Sequence, residues 1–142
     1  MLDFSIINIG AYRRQEKHAQ TATCVWIAFY ISGIVRSRRY NQDGRLLRDD
    51  TQGAAPYLSF VLPGTTMEFE FGADRENWVI MLENFPVRPT TNLKEVEIKS
   101  GDVWTRIPLA VEVERERVAR WRNVMEKIKS YCDAPTPLNV LR

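Results

Sequence analysis

A mainly β chain that ends in one amphipathic helix is the fold class this sequence predicts, and three observations predict it. Segments of alternating side chains recur, as in residues 57–71, "YLSFVLPGTTMEFEF", where Met67, Phe69 and Phe71 share one face and Glu68 and Glu70 the other. Turn signals punctuate these segments at Asn41-Gln42-Asp43-Gly44, Pro63-Gly64, Asp74–Asn77 and Ser100-Gly101-Asp102. From about Val113 the period changes: Val118, Trp121, Met125, Ile128 and Cys132 are spaced 3, 4, 3 and 4 apart, a helical stripe with charged residues around it. About eight short strands followed by a helix argue for a β-sandwich or barrel with a helical appendage, and against alternating β and α units.

Residues 1–23 mix short apolar groups with the polar stretch "YRRQEKHAQTAT", which predicts an extended arm with one short strand around Phe4–Ile9. From Cys24 to Val35 the residues are β-branched or aromatic, as in a strand buried on both faces, and Ser32-Gly33 marks a bend or bulge. Arg36–Tyr40 and Arg45–Arg48 flank the Asp-Gly turn as arms of a hairpin, because Asp-Gly supplies the positive φ angles a tight turn needs. Two strands flank Pro63-Gly64. After a turn at Asp74–Asn77, "WVIMLENF" reads as a buried strand, and "KEVEIK" alternates before turning into "VWTRIPL". The tail "DAPTPLNVLR", with two prolines, reads as a linker. The resulting division is 1–112 for the barrel and its arm, 113–132 for the helix and 133–142 for the linker.

Composition narrows the function. At 142 residues the chain suits one domain, and 44% hydrophobic with 27% charged residues is ordinary for a globular protein. Twenty Lys and Arg against eighteen Asp and Glu leave a net charge of +2, which by itself calls for neither nucleic acid nor a membrane surface. The start carries no basic n-region followed by a long apolar run, and the most apolar stretch, the twelve residues "CVWIAFYISGIV", is too short to span a bilayer. A cytoplasmic protein without membrane contact is expected.

Catalytic chemistry finds few footholds. No Gly-rich phosphate loop occurs, and His18 is the one histidine, so neither a metal site nor a Ser-His pair is expected. Cys24 sits in an apolar strand and Cys132 at the end of a helix, contexts that do not favour a reactive thiolate. The carboxylate pairs Glu68/Glu70 and Glu95/Glu97 lie two apart on regular strands and read as solvated faces. The chain is expected to bind rather than to catalyse, with no cofactor and no metal.

Three segments carry a resemblance. "CVWIAFYISGIV", ending in its Gly bend, "YLSFVLPGTTMEFEF" with its Pro-Gly step, and "RENWVIMLENF", in which a tryptophan precedes alternating apolar residues, resemble the effector-sensing domain of AraC-type transcriptional regulators over residues 24–131. The resemblance implies a cupin-like double-stranded β-helix (a jelly-roll barrel) that holds a small-molecule effector, often a sugar. It also implies a homodimer formed through the C-terminal helix, with DNA contacted only through a helix-turn-helix domain outside this chain. Trp78 matches the family's pocket tryptophan, whereas Ser32 stands where the arabinose-sensing member has a sugar-contacting arginine. Alternatives from other classes are a small cupin-type isomerase or epimerase and a non-catalytic assembly domain.

Candidate ligand-binding residues are therefore Trp78, Phe69, Tyr30 and Trp26, with Phe71 beside them, for aromatic stacking, Ser32 at the bend, and Arg36 for an anionic group. The stripe Val118, Trp121, Met125 and Ile128 is either a dimer seam or a face packed on its own barrel.

Overall fold

The computed structural model describes residues 4–51 and 56–133; of the linker stretch, residues 134–142 lie outside the described part. Among the described residues ten strands precede one helix. They are β1 (Ser5–Tyr12), β2 (Glu16–Thr21), β3 (Val25–Tyr40), β4 (Leu46–Thr51), β5 (Tyr57–Val61), β6 (Thr66–Glu83), β7 (Val87–Pro89), β8 (Glu95–Ser100), β9 (Val103–Pro108) and β10 (Ala110–Glu112). A 3-10 turn over Arg115–Arg117 leads into α1 (Val118–Asp133). All strand pairings are antiparallel, in one seven-stranded sheet and one three-stranded sheet, β7-β8-β9. The chain is mainly β with one C-terminal helix.

Two long strands organise the molecule. β3 has 16 residues and β6 has 18, and they pair along almost their whole length. At one end β1 lies beside β6 and β5 beside β3; at the other, β2 lies beside β6 and β4 beside β3. Between the ends the β3–β6 register shifts three times, from Tyr30 to Arg36. Gly33 sits there with φ +84°, and a Cβ at that position would run into the backbone of Arg75. Only glycine permits this close crossing, so Ser32-Gly33 makes the bend its sequence predicts. Both long strands fold at this corner, and their halves face one another. Met67, Phe69 and Phe71 from one half pack with Trp26, Tyr30, Val61 and Val79 from the other.

Several local expectations change. Residues 5–21 form two strands where the sequence predicts an extended arm with one: β1 and β2 are both hydrogen-bonded to β6, and β2 keeps most of its polar side chains exposed. Asp74–Asn77 is no turn but the bend inside β6. The Asp-Gly signal does close a hairpin, β3–β4, in which Gly44 has φ +76° and its N–H reaches Asn41 O at 3.0 Å. Pro63-Gly64 closes none. β5 ends at Val61 beside Trp26, whereas β6 starts at Thr66 beside Tyr40 at the far end of β3, so the turn carries the chain from one facing layer to the other, with Gly64 N–H donating to Ala22 O at 2.8 Å.

Helix α1 covers the outer face of the β1-β6-β3-β5 half. Met125 is buried, and Val118, Ile128 and Cys132 pack beside it against Ile9, Phe29, Trp78, Ile80 and Leu82. Three of the four residues in the predicted stripe thus serve the chain's own core. Trp121 is the exception, 38% exposed, with Val124 at 40%. No helix among the described residues is long and apolar enough to cross a membrane.

Candidate functional site

Period two decides which side chains meet. On β6 the odd positions Met67, Phe69, Phe71, Arg75, Asn77, Val79 and Met81 face inward through the bend, and on the first half of β3 so do Trp26, Ala28 and Tyr30. Between them, walled on the open side by Glu16, His18 and Gln20 of β2, lies a cavity of about 290 Å³. Tyr30 and Phe69 touch at 5.3 Å between ring centroids, Phe69 and Phe71 at 4.8 Å, and the His18 ring lies 6.0 Å from Phe71. Such a wall suits stacking against an apolar or sugar face. Burial, with Tyr57 close by, pushes the Tyr30 phenol above its ordinary range, so it stays a neutral hydrogen-bond donor.

One buried ion sits among these rings. The Arg75 side chain is 4% exposed, and its guanidinium lies 3.7 Å above the Phe71 ring. Its Nε donates to Asn77 Oδ1 at 2.8 Å, and Nη1 donates to Arg14 O and to Glu16 Oε2, each at 3.1 Å. Glu16 also stands 3.2 Å from His18 Nδ1. The cavity therefore contains one cation and one carboxylate already paired, a neutral balance with donors and acceptors along its rim.

Four of the seven candidate ligand residues come together here: Trp26, Tyr30, Phe69 and Phe71. The other three do not. Ser32 is at the corner, its Oγ donating to Asp74 O at 2.6 Å. Arg36 lies outside: the register shift between Ile34 and Arg36 inverts the alternation, so that Ser37 and Arg39 turn inward and Arg36 and Arg38 turn out. There Arg36 and Arg38 each approach Asp49 Oδ2 at 3.5 Å, and both line a separate hollow of about 550 Å³ with Glu68 and Glu70. Trp78 is buried on the opposite face, under α1, because an even position on β6 points away from Phe69.

The residues missed from sequence are Arg75 and Asn77. Counting in twos from Phe69 and Phe71 reaches both, provided β6 is continuous; a turn placed at Asp74–Asn77 hides the count. Arg39 is likewise turned inward, its Nη1 donating to Phe60 O at 2.9 Å and its Nη2 to Ser59 Oγ. No group of three or more His, Cys, Asp or Glu side chains able to hold a metal occurs among the described residues.

Glu76, between Arg75 and Asn77, faces the other way. Its carboxylate accepts from Arg122 Nε and Nη2 of α1, both at 2.8 Å, from Arg13 Nη2 at 3.2 Å, and from Trp78 Nε1 at 3.4 Å. The Arg122 hydrogen bonds hold the Glu76 carboxyl below its ordinary value of 4.5. A depressed folded value means the contribution is complete above the unfolded value and is lost as pH falls through the folded one. Acidification below about pH 4.5 is thus expected to loosen α1, and Glu76→Gln to remove that part of the pH dependence, both read by far-ultraviolet circular dichroism during urea titration. Identical acid profiles for the two proteins would assign the loss to other carboxylates.

No family model matches this chain, and no curated protein matches it closely enough to serve as a relative.

Proposed function

We propose that this chain is a small-molecule-sensing and dimerisation domain of the AraC regulator type. In this proposal the folded β3–β6 ribbon is a cupin-like double-stranded β-helix, and the domain binds its effector without transforming it. DNA would be reached only through a domain outside this chain. The observation that supports binding is the cavity walled by Trp26, Tyr30, Phe69 and Phe71, with its one buried cation already neutralised by Glu16. Aromatic faces stack on the apolar face of a sugar ring, while Tyr30, Asn77, Gln20 and His18 offer hydrogen bonds to hydroxyls. An anionic ligand would meet a guanidinium that already has its carboxylate, so the proposal is for a neutral polyhydroxylated effector.

A thermal-shift screen with neutral monosaccharides and their corresponding sugar acids tests this. A ligand present at a hundred times its Kd should stabilise the protein by about 2.7 kcal/mol. Neutral sugars should give the shifts, Trp26→Ala should abolish them, and Glu16→Gln should move the preference to the acid. No shift from any compound would end the binding proposal.

His18 beside Glu16 at the cavity mouth favours one second possibility, a sugar isomerase using that pair for proton transfer. Deuterium appearing in a sugar incubated with the protein in D2O would replace sensing with catalysis.

Dimerisation would use the helix flank left uncovered, Trp121 and Val124, each one turn before a packed residue, Met125 and Ile128 respectively. Trp121→Asp is expected to give a monomer in sedimentation equilibrium while costing about 1 kcal/mol of stability, since the side chain belongs to neither buried cluster. A wild type that sediments as a monomer at high concentration would remove this part of the proposal.

A further inference from the structure

Arg75, Glu76 and Asn77 are consecutive on β6 and do two jobs on two faces. Arg75 and Asn77 form part of the cavity wall and are joined by the 2.8 Å hydrogen bond between them. Glu76 lies between them, is paired in register with Ser32 at the corner of the folded ribbon, and is held from the far side by the forked hydrogen bonds of Arg122. We infer that Glu76 is a positioning residue through which the wall of the cavity sets the seat of α1. The inference rests on the cavity being a binding site and supplies its regulation: a hydroxyl that takes Asn77 or Arg75 as partner shifts the β6 backbone at the corner and carries Glu76 with it.

The physical grounds are directional. The other packing of α1 on the barrel through Val118, Met125 and Ile128 is apolar, and apolar contacts tolerate a small slide of the helix. A bidentate carboxylate–guanidinium pair does not, because both hydrogen bonds depend on a shared plane. The Glu76 side chain is 14% exposed and that of Arg122 35%, so the pair is shielded on the carboxylate side and open to solvent and salt on the other. Arg122 immediately follows Trp121, so movement at the pair is movement of the uncovered helix face. A ligand shifts such an equilibrium only by its unequal affinity for the two arrangements, and contact with Asn77 or Arg75 supplies that inequality.

The test needs no ligand. Amide hydrogen exchange is followed by mass spectrometry in the whole chain carrying Asn77→Ala, Arg122→Gln or both, with Asn77→Ser as a milder cavity change should Asn77→Ala fold poorly. Asn77→Ala is expected to speed exchange of the α1 amides about tenfold, and to add less than about twofold once Arg122 is already glutamine. Exchange in β8 and β9, remote from the pair, should stay within about twofold of wild type, which separates a moved helix from a general loss of stability. Three results would each overturn the inference: α1 exchange unchanged by Asn77→Ala, the same factor with and without Arg122, or an equal rise in β8 and β9. A failed sugar screen would sink the binding proposal yet leave these exchange results unaltered, so the two failures are distinguishable.

Discussion

Gly33→Ala is expected to lower the stability of this protein by about 3 kcal/mol or more, the sum of a strained positive φ and a backbone overlap. At φ +84° an alanine is already disfavoured, and its Cβ would have to occupy the space of the Arg75 Cα and N. Neither atom can swing aside as a side chain could, because both belong to the backbone of β6. Relief requires parting β3 from β6 at the corner where both fold. Arg75 also lines the cavity, so under the proposed function the substitution should remove any stabilisation by an effector along with the structural loss. Urea denaturation followed by circular dichroism measures the first effect, and thermal shift the second. Gly44→Ala is the control: it too has positive φ, yet nothing lies within 4 Å of the added Cβ, and it should cost only the backbone strain of about 1–2 kcal/mol. Equal losses at the two glycines would show that the close crossing at the corner contributes nothing.

Phe29→Ala is expected to be at least as damaging, at about 3–5 kcal/mol. The ring is 0% exposed, and its Cα lies in register with Leu58 of β5 on one side and Trp78 of β6 on the other. It belongs to the face that α1 covers, so the hole opens beneath the helix rather than in the cavity. The loss should appear in urea titration as an earlier midpoint, with the cavity aromatics unchanged in the native baseline. A loss under about 1 kcal/mol would mean that this face collapses readily onto smaller side chains.

How far the site was legible follows from individual residues. Phe69 could be named because it alternates with Glu68 and Glu70 and so marks an inward face, and Trp26 and Tyr30 because they are aromatics on a strand that reads as buried on both faces. Arg36 could not be placed, since the bulges between Tyr30 and Arg36 invert the alternation, and their position depends on how β3 meets β6. Trp78 belongs to the same aromatic set in the sequence, and the resemblance adds to its candidacy. Its strand parity puts it under α1, and that parity is countable only if β6 runs unbroken through Asp74–Asn77. Arg75 is hidden for the same reason, since its charge and the neighbouring Asp74 read as a surface turn.

The stripe on the helix shows the same division. Its spacing forecast one apolar face, and α1 indeed packs Val118, Met125 and Ile128 inward, while Trp121 lies toward the solvent side. A 3–4 repeat marks a direction on a helix to within about a third of a turn, and the angle at which the helix sits decides which flank is covered.

By itself, the chain's order of residues determined that it forms sheets, that a helix closes the described part, and where glycine permits a bend or a tight turn. These are local matters, governed by backbone sterics and by the two-residue and 3.6-residue periods. Which strands border which, that Pro63-Gly64 bridges two layers instead of closing a hairpin, and that Arg75 rather than Arg36 faces the cavity were decided only in three dimensions. The reason is that β pairing joins residues far apart in sequence, and a single bulge exchanges inside for outside along the rest of a strand.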